Sequence, residues 1–453
     1  MSDQSTTQIQ HESKEDTPQI KTPLLLTNPD ETQNLNQEIQ ENDDEEEEEE
    51  EEEEGSHLRL SLQRFELYLI LLGFDQSSVL RFGISWVTFV VIGVVFPVVI
   101  VLLTANCDLY QIKGFELVIV VSHACLAAVA LLCLSHNLRK YGVRKFLFVD
   151  QYNGHVERFS KEYIQKISES IRLFVLWVLP CLILKAALES IRIVYLHQES
   201  WWKSFGIFVA LTFSWAYVNF IYLSSCIVFH LVCNLQIIHF DDYGRLLEGE
   251  TDILVFIEEH ARLRHDLSKI SHRFRIYLLL VFAVVTSSQF AMLFQITEFS
   301  NKVTFINGSD FAVSSIAQLV GLILCLNAAA KISHRAQGIA AIASRWHAVA
   351  SCGPDDISHM RLSNRLISDL SSESDLEAMN YIPLPTNMQL ASYLSSYHRR
   401  QAFVMYLENN PGGITLYGWT VDRSLIDTIF FIELSLVLFV LGRTTIFTYE
   451  SSP

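Results

Sequence analysis

The apolar residues of this chain gather into blocks of about 20, the length a helix needs to cross roughly 30 Å of hydrocarbon. Seven blocks can be read, at about 83–103, 115–134, 173–195, 205–233, 276–296, 311–332 and 426–447. A soluble chain of 453 residues would spread its apolar residues through two or three domains. Blocks this long predict an all-α, polytopic membrane protein with seven transmembrane helices.

The net charge of −18 sits in one place. Residues 1–57 hold 20 acids against Lys14 and Lys21, so residues 58–453 are neutral as a whole. Asp43 to Glu54 is an unbroken acidic run. Such a run repels itself and buries no core, so 1–57 is expected to be a disordered acidic tail. It serves either as a solubilising spacer or as a lure for basic partners and cations. The opening residues have no apolar stretch, so no cleaved signal peptide is expected. The eight cysteines show no CxxC spacing or zinc pattern. Most read as small packing residues, with no metal and no cofactor implied.

Loop charge gives direction, because Lys and Arg stay on the cytoplasmic side. Arg59, Arg64 and Arg81 precede the first block. Eight basic residues, from Arg139 to Arg172, separate blocks two and three; six, from Arg245 to Arg275, separate blocks four and five. The alternate loops carry only Lys113, Lys203 and Lys302. The N-terminus is therefore expected inside and the C-terminus outside. Asn307-Gly308-Ser309, a candidate glycosylation site at Asn307, then falls in an outer loop. This orientation is opposite to that of G-protein-coupled receptors, and neither a DRY after block three nor an NPxxY in block seven is present.

Beyond the blocks, Ile253, Ile257, Leu263, Leu267, Ile270 and Phe274 keep helical spacing and run without a breaker into block five. A single helix over 251–296 would be about 69 Å long, with more than half of it in the cytoplasm. Block six runs on through an Ala-rich stretch to about 351. Residues 352–385 read as a flexible polar loop, and 386–410 as a cytoplasmic helix closed by Asn410-Pro411-Gly412-Gly413. These pieces make either an amphipathic surface or a packed cytoplasmic bundle at about 234–275, 333–351 and 386–410.

The last block, "VDRSLIDTIFFIELSLVLFVLGRTTIF" (421–447), carries Thr428, Ser435 and Gly442 at a repeat of seven. On a helix they fall close to one line, with Phe431 and Leu438 between them. Small and polar residues on a line suit a water-lined wall or close helix packing. Glu433 points about 160° away from that line and needs a partner or a proton. Lys185, Glu189 and Arg192 of block three are the offered partners, but Lys185 lies about 10 Å further along the membrane normal. Asp427 is expected to cap the start of this helix or to attract cations there. Lys185 and Glu189, one turn apart, can satisfy each other. Arg192, Tyr195, Trp201, Trp202 and Phe205 follow. The aromatics are interface anchors or the wall of a ligand pocket that His123 and Trp215 would join.

Taken together, these features resemble the insect odorant and gustatory receptor channels. They are seven blocks, an inside N-terminus, long cytoplasmic extensions, a split last helix and a short C-terminal tail. "GWTVDRSLIDTIFFIELSLVLFVLGRT" (418–444) more closely resembles the C-terminal block of their plant relatives, a gustatory-receptor-like family of unknown function. The resemblance covers about 58–450. The Tyr and later Gln-Phe of the insect gustatory pattern are missing. The insect proteins are tetrameric ligand-gated cation channels. The resemblance implies a homotetramer in the plasma membrane with cations as the permeant species. It implies a pore lined by Thr428, Phe431, Ser435, Leu438, Leu441 and Gly442, with Leu438 and Leu441 as an apolar gate. It also implies a small-molecule pocket among spans two, three, four and six, for which His123, Glu189, Arg192, Tyr195, Trp202 and Trp215 are the candidates.

An enzyme is not expected. GxxxxGK[ST], HExxH and GxSxG are absent, and His260 and His265 are out of helical register for a shared metal. No nucleic-acid partner is expected either. The alternatives to a channel are a non-conducting receptor or scaffold, and a secondary transporter. Seven spans do not divide into the two repeats a transporter would favour.

Overall fold

The computed structural model describes residues 56–104, 110–147, 156–196, 201–247, 252–298, 305–351, 387–421 and 423–450. The chain divides into two units, Met1–Glu54 and Gly55–Pro453, and the second contains every described residue. The acidic tail and the polar loop after 351 lie outside the described residues.

Helix α1 (56–71) was not anticipated from the sequence. Its Leu58, Leu62, Phe65 and Leu69 recur at helical spacing and are buried, while Arg59, Arg64 and Glu66 are exposed. It stops at Gly73, whose φ of 84° suits a residue without Cβ. Gly73 N–H donates to Ile70 O at 3.0 Å and Phe74 N–H to Leu69 O at 3.0 Å, a Schellman closure of the last turn.

Helix α2 (Val79–Thr88) is capped by Ser78, whose side chain accepts from Arg81 N–H. It continues through a π-helical stretch, Phe89–Val95, into α3 (Phe96–Thr104). In the wider register Phe96 N–H donates to Val91 O. The next carbonyl, Ile92 O, faces Pro97, which has no N–H. Ser214 Oγ of a neighbouring helix donates to it at 2.6 Å. An unpaired carbonyl in the apolar interior is thereby avoided.

The long helices follow: α4 (Tyr110–Phe146), α5 (Val156–Leu196), α6 (Trp201–Leu246), α7 (Ile253–Glu298) and α8 (Phe305–Ser351). After them come α9 (Asn387–Asn409), a hairpin of β1 (Thr415–Leu416) and β2 (Trp419–Thr420), and α10 (Arg423–Glu450). Six stretches are long and apolar enough to cross a membrane: Val79–Leu102, Glu116–Phe146, Phe159–Arg192, Ser204–Leu246, Ile253–Met292 and Ser309–Ser351. They coincide with the first six sequence blocks. The protein is a helical, membrane-embedded protein.

Helix α6 is the centre of the packing. Its most apolar window is 94% buried, whereas that of α5 is 11% buried and faces outward. Cys226, Cys233 and Cys325 are buried in this core as packing residues. Tyr222 of α6 lies against Gly321 of α8, where a Cβ would come within 2.5 Å of its hydroxyl. The same hydroxyl donates to Gln318 O at 2.8 Å.

Helices α7 and α8 have 46 and 47 residues, about 70 Å each and far longer than a bilayer core. The single helix expected over 251–296 is present as Ile253–Glu298. At the far ends, Phe403 of α9 stacks on Phe256 of α7 at 5.9 Å and meets Trp346 of α8 edge-on at 6.4 Å. Tyr243 of α6 donates to Phe256 O at 3.0 Å. These pieces pack together and are not loose surface helices.

The break after α9 is a hairpin and not merely a loop. Tyr417 and Gly418 both have positive φ, 50° and 93°, as a two-residue turn between strands requires. Ile414 N–H donates to Ser333 Oγ at 3.0 Å, and Thr415 N–H to Ser271 Oγ at 3.2 Å. The chain is thus tied to α7 and α8 just before it enters α10.

Candidate functional site

Helix α5 presents Lys185, Glu189 and Arg192 at positions i, i+4 and i+7, one face of one helix. Lys185 and Glu189 are 5% and 3% exposed. Charges at that depth persist only when they are paired. Lys185 Nζ lies 2.8 Å from Glu189 Oε1, the pairing expected from sequence, and also donates to Asp310 Oδ1 of α8. Arg192 donates to Glu116 Oε1 of α4 and stands 3.7 Å from Glu189 Oε2. The cluster therefore alternates in sign across α4, α5 and α8, with three carboxylates against two cations.

The cluster forms one side of a cleft with about 510 Å³ of empty space, its open mouth included. His123 of α4 and Trp215 of α6 line it as well, their rings 6.1 Å apart. Val101, Ile119, Leu211 and Val218 give it an apolar wall. Trp215 Nε1 is buried without a hydrogen-bond partner among the described residues, and His123 has Asn219 as its hydrogen-bond partner.

Four of the six expected pocket residues, His123, Glu189, Arg192 and Trp215, thus come together. Trp202 does not: it is 77% exposed and packs edge-on against Trp201 at 5.7 Å. It lies one helix end away from the cleft. Tyr195 is in α5, with its side chain outside the described residues. Glu116, Lys185 and Asp310 were missed as pocket residues. Glu116 and Asp310 read in the sequence as the hydrophilic edges of their blocks. Two acids at the edges of blocks two and six, level with the basic end of block three, were the available signal.

Helix α10 carries the second candidate surface. Glu433 is fully buried, and Thr286 Oγ1 of α7 donates to its Oε1 at 2.5 Å. Its partner is thus on span five, not on span three as the sequence offered. Lys185 is already held by two carboxylates, Glu189 and Asp310. Val437, one turn on, is also buried. The opposite face is open: Phe431 is 65% and Leu438 58% exposed, and Thr428 and Ser435 are exposed with them. Gly442 is half-buried, and the Leu441 side chain lies outside the described residues. Asp427 does not cap α10. The helix begins at Arg423, which places Asp427 a full turn inside, with an exposed side chain. Asn307 lies in the first turn of α8, its side chain outside the described residues.

A family model described as "Protein of unknown function (DUF3537)" matches residues 60–432. The chain belongs to the DUF3537 family. No curated protein matches it in sequence. The DUF3537 match begins in α1, takes in every residue of the charged cleft, and ends in α10 at Ile432. The acidic tail lies outside it, as do Ser435, Leu438 and Gly442.

Proposed function

We propose that this DUF3537 protein is a homotetrameric, ligand-gated cation channel of the plasma membrane, related to the plant gustatory-receptor-like family of unknown function and distantly to the insect odorant and gustatory receptor channels. In this reading α10 is the seventh span. Its 28 residues give about 42 Å, enough to cross. The N-terminus is inside and the C-terminus outside, following the loop charges. The far ends of α6, α7 and α8 with α9 form the cytoplasmic bundle. The charged cleft, in the outer half of the spans, takes the ligand.

The observation that carries the reading is the orientation of α10. Glu433 is turned into the protein against Thr286, while Asp427 lies exposed near the start of the helix, and Thr428, Phe431, Ser435 and Leu438 are left on the open face. A helix serving only as packing would bury its small residues and leave its large ones to lipid. Here Thr428 and Ser435 share the open face with Leu438. Four copies around an axis would give alternating hydroxyl and apolar rings, of Thr428, Phe431, Ser435 and Leu438, with the leucine ring able to gate by dewetting.

The test is ionic current from the purified full chain in planar bilayers, for wild type, Leu438→Ala and Ser435→Trp. A pore on this face predicts current that rises in the first variant and vanishes in the second. Silence from all three, with tetramers verified, would leave a non-conducting receptor or scaffold, or a secondary transporter.

A further inference from the structure

We propose that the cleft binds a small organic cation, an ammonium group on an apolar body, and that this ligand supplies the third positive charge of the cluster. The proposal rests on reading the cleft as the ligand pocket. Its basis is an imbalance. Among the described residues, Glu116, Glu189 and Asp310 face Lys185 and Arg192, and no further Lys or Arg lines the cleft. Lys185 is shared between Glu189 and Asp310, and Arg192 between Glu116 and Glu189. The two outer carboxylates meet their cations through Asp310 Oδ1 and Glu116 Oε1.

Surplus negative charge at low dielectric draws in a cation and excludes an anion. The rest of the lining says what kind of cation. Val101, Ile119, Leu211 and Val218 offer a bare metal ion nothing but would cover a hydrocarbon body. The buried Trp215 indole N–H lacks a partner and calls for an acceptor on that body. His123, 3% exposed, stands beside it with Asn219 as its hydrogen-bond partner. Trp215 lines the cleft, so the vacancy in hydrogen bonding lies beside the imbalance in charge.

The test uses the purified full-length protein and reads its melting temperature, so it does not depend on conduction. The probes share a ring and a hydroxyl and differ in the head: tyramine, its neutral analogue tyrosol, and the anion 4-hydroxyphenylacetate. A second pair is 5-aminopentanol against 1,5-pentanediol. An amine at a hundredfold excess over half-saturation is expected to raise the melting temperature by about 3 °C or more. The neutral and anionic analogues are expected to give less than half of that. Asp310→Asn leaves Lys185 paired with Glu189 and balances the cluster, so amine affinity should fall by about tenfold. Equal shifts from amine and alcohol, or no shift from either amine, would overturn the proposal; a proton on one carboxylate would then balance the cluster. Unchanged amine affinity in Asp310→Asn would overturn it as well. The wild-type comparison decides the matter even where the variant fails to fold. Amine-stabilised protein with silent bilayers would remove the channel and keep the ligand class; the reverse would keep the channel and remove the ligand class.

Discussion

Replacing Thr286 by valine should loosen the last helix, by an amount the local geometry sets. Glu433 is fully buried and holds one hydrogen bond, from Thr286 Oγ1 at 2.5 Å; its Oε2 has no partner among the described residues. A hydrogen bond between helices in a membrane contributes about 0.6 kcal/mol, and up to about 1.7. Leaving a buried polar group without its partner costs about 1–3 kcal/mol in all. Thr286→Val removes the bond and strands the carboxyl, so its cost should be about 1–3 kcal/mol. Glu433→Leu should cost less, because it removes the group that needed the bond. The double variant should lie near wild type, since replacing both partners with apolar groups is close to neutral. The two changes should therefore be non-additive by about 1–2 kcal/mol. Equilibrium unfolding of the purified protein in mixed micelles, titrated with a denaturing detergent, measures all three variants. Additivity within about 0.5 kcal/mol would refute the reasoning. It would also remove the constraint that turns Thr428, Ser435 and Leu438 outward, and the pore reading would lose its main support.

Other expectations are as direct. Gly321→Ala should destabilise by about 1–3 kcal/mol, less the roughly 1 kcal/mol that Ala gains in a helix, because its Cβ would meet the Tyr222 ring at 2.6 Å; a lower melting temperature would show it, and an unchanged one would mean that Tyr222 moves freely. Arg192→Gln strands Glu116, and breaking a buried pair costs about 3–5 kcal/mol; the expected result is loss of monodisperse protein, regained when Glu116→Gln is added. Asn307→Gln should abolish a glycan-dependent mobility shift in a secretory-pathway host, because the first turn of α8, which carries Asn307, is outward in the proposed topology. No shift in wild type would count against that topology.

Much of the fold was legible because membrane crossing imposes a length. The first six blocks coincide with the membrane-length helices, and the unbroken spacing from Ile253 to Phe274 gave the full extent of α7. Asn410-Pro411-Gly412-Gly413 marked the break before α10. Its interior as a hairpin was hidden, because the turn puts Tyr417, a residue with a Cβ, at positive φ. Helix α1 was hidden for another reason: its buried face is short and interleaved with Arg59 and Arg64, so it falls below the length that flags a span.

The candidate sites show a different limit. In an apolar span every polar exception stands out in one dimension, and Glu433, Lys185, Glu189 and Pro97 were all visible. Their partners were not, because each lies on another helix. Thr286 completes Glu433 from 147 residues away, Asp310 completes Lys185 from 125 and Ser214 closes the carbonyl opposite Pro97 from 122 residues beyond Ile92. A hydroxyl or an acid at a block edge attracts no notice in the sequence until the packing brings it to the group that needs it. Low dielectric makes each unmet need costly. Trp215 Nε1 stays unmet among the described residues, and it lies in the same cleft as three carboxylates that face two cations. An unmet donor beside surplus negative charge points to an occupant more strongly than either would alone.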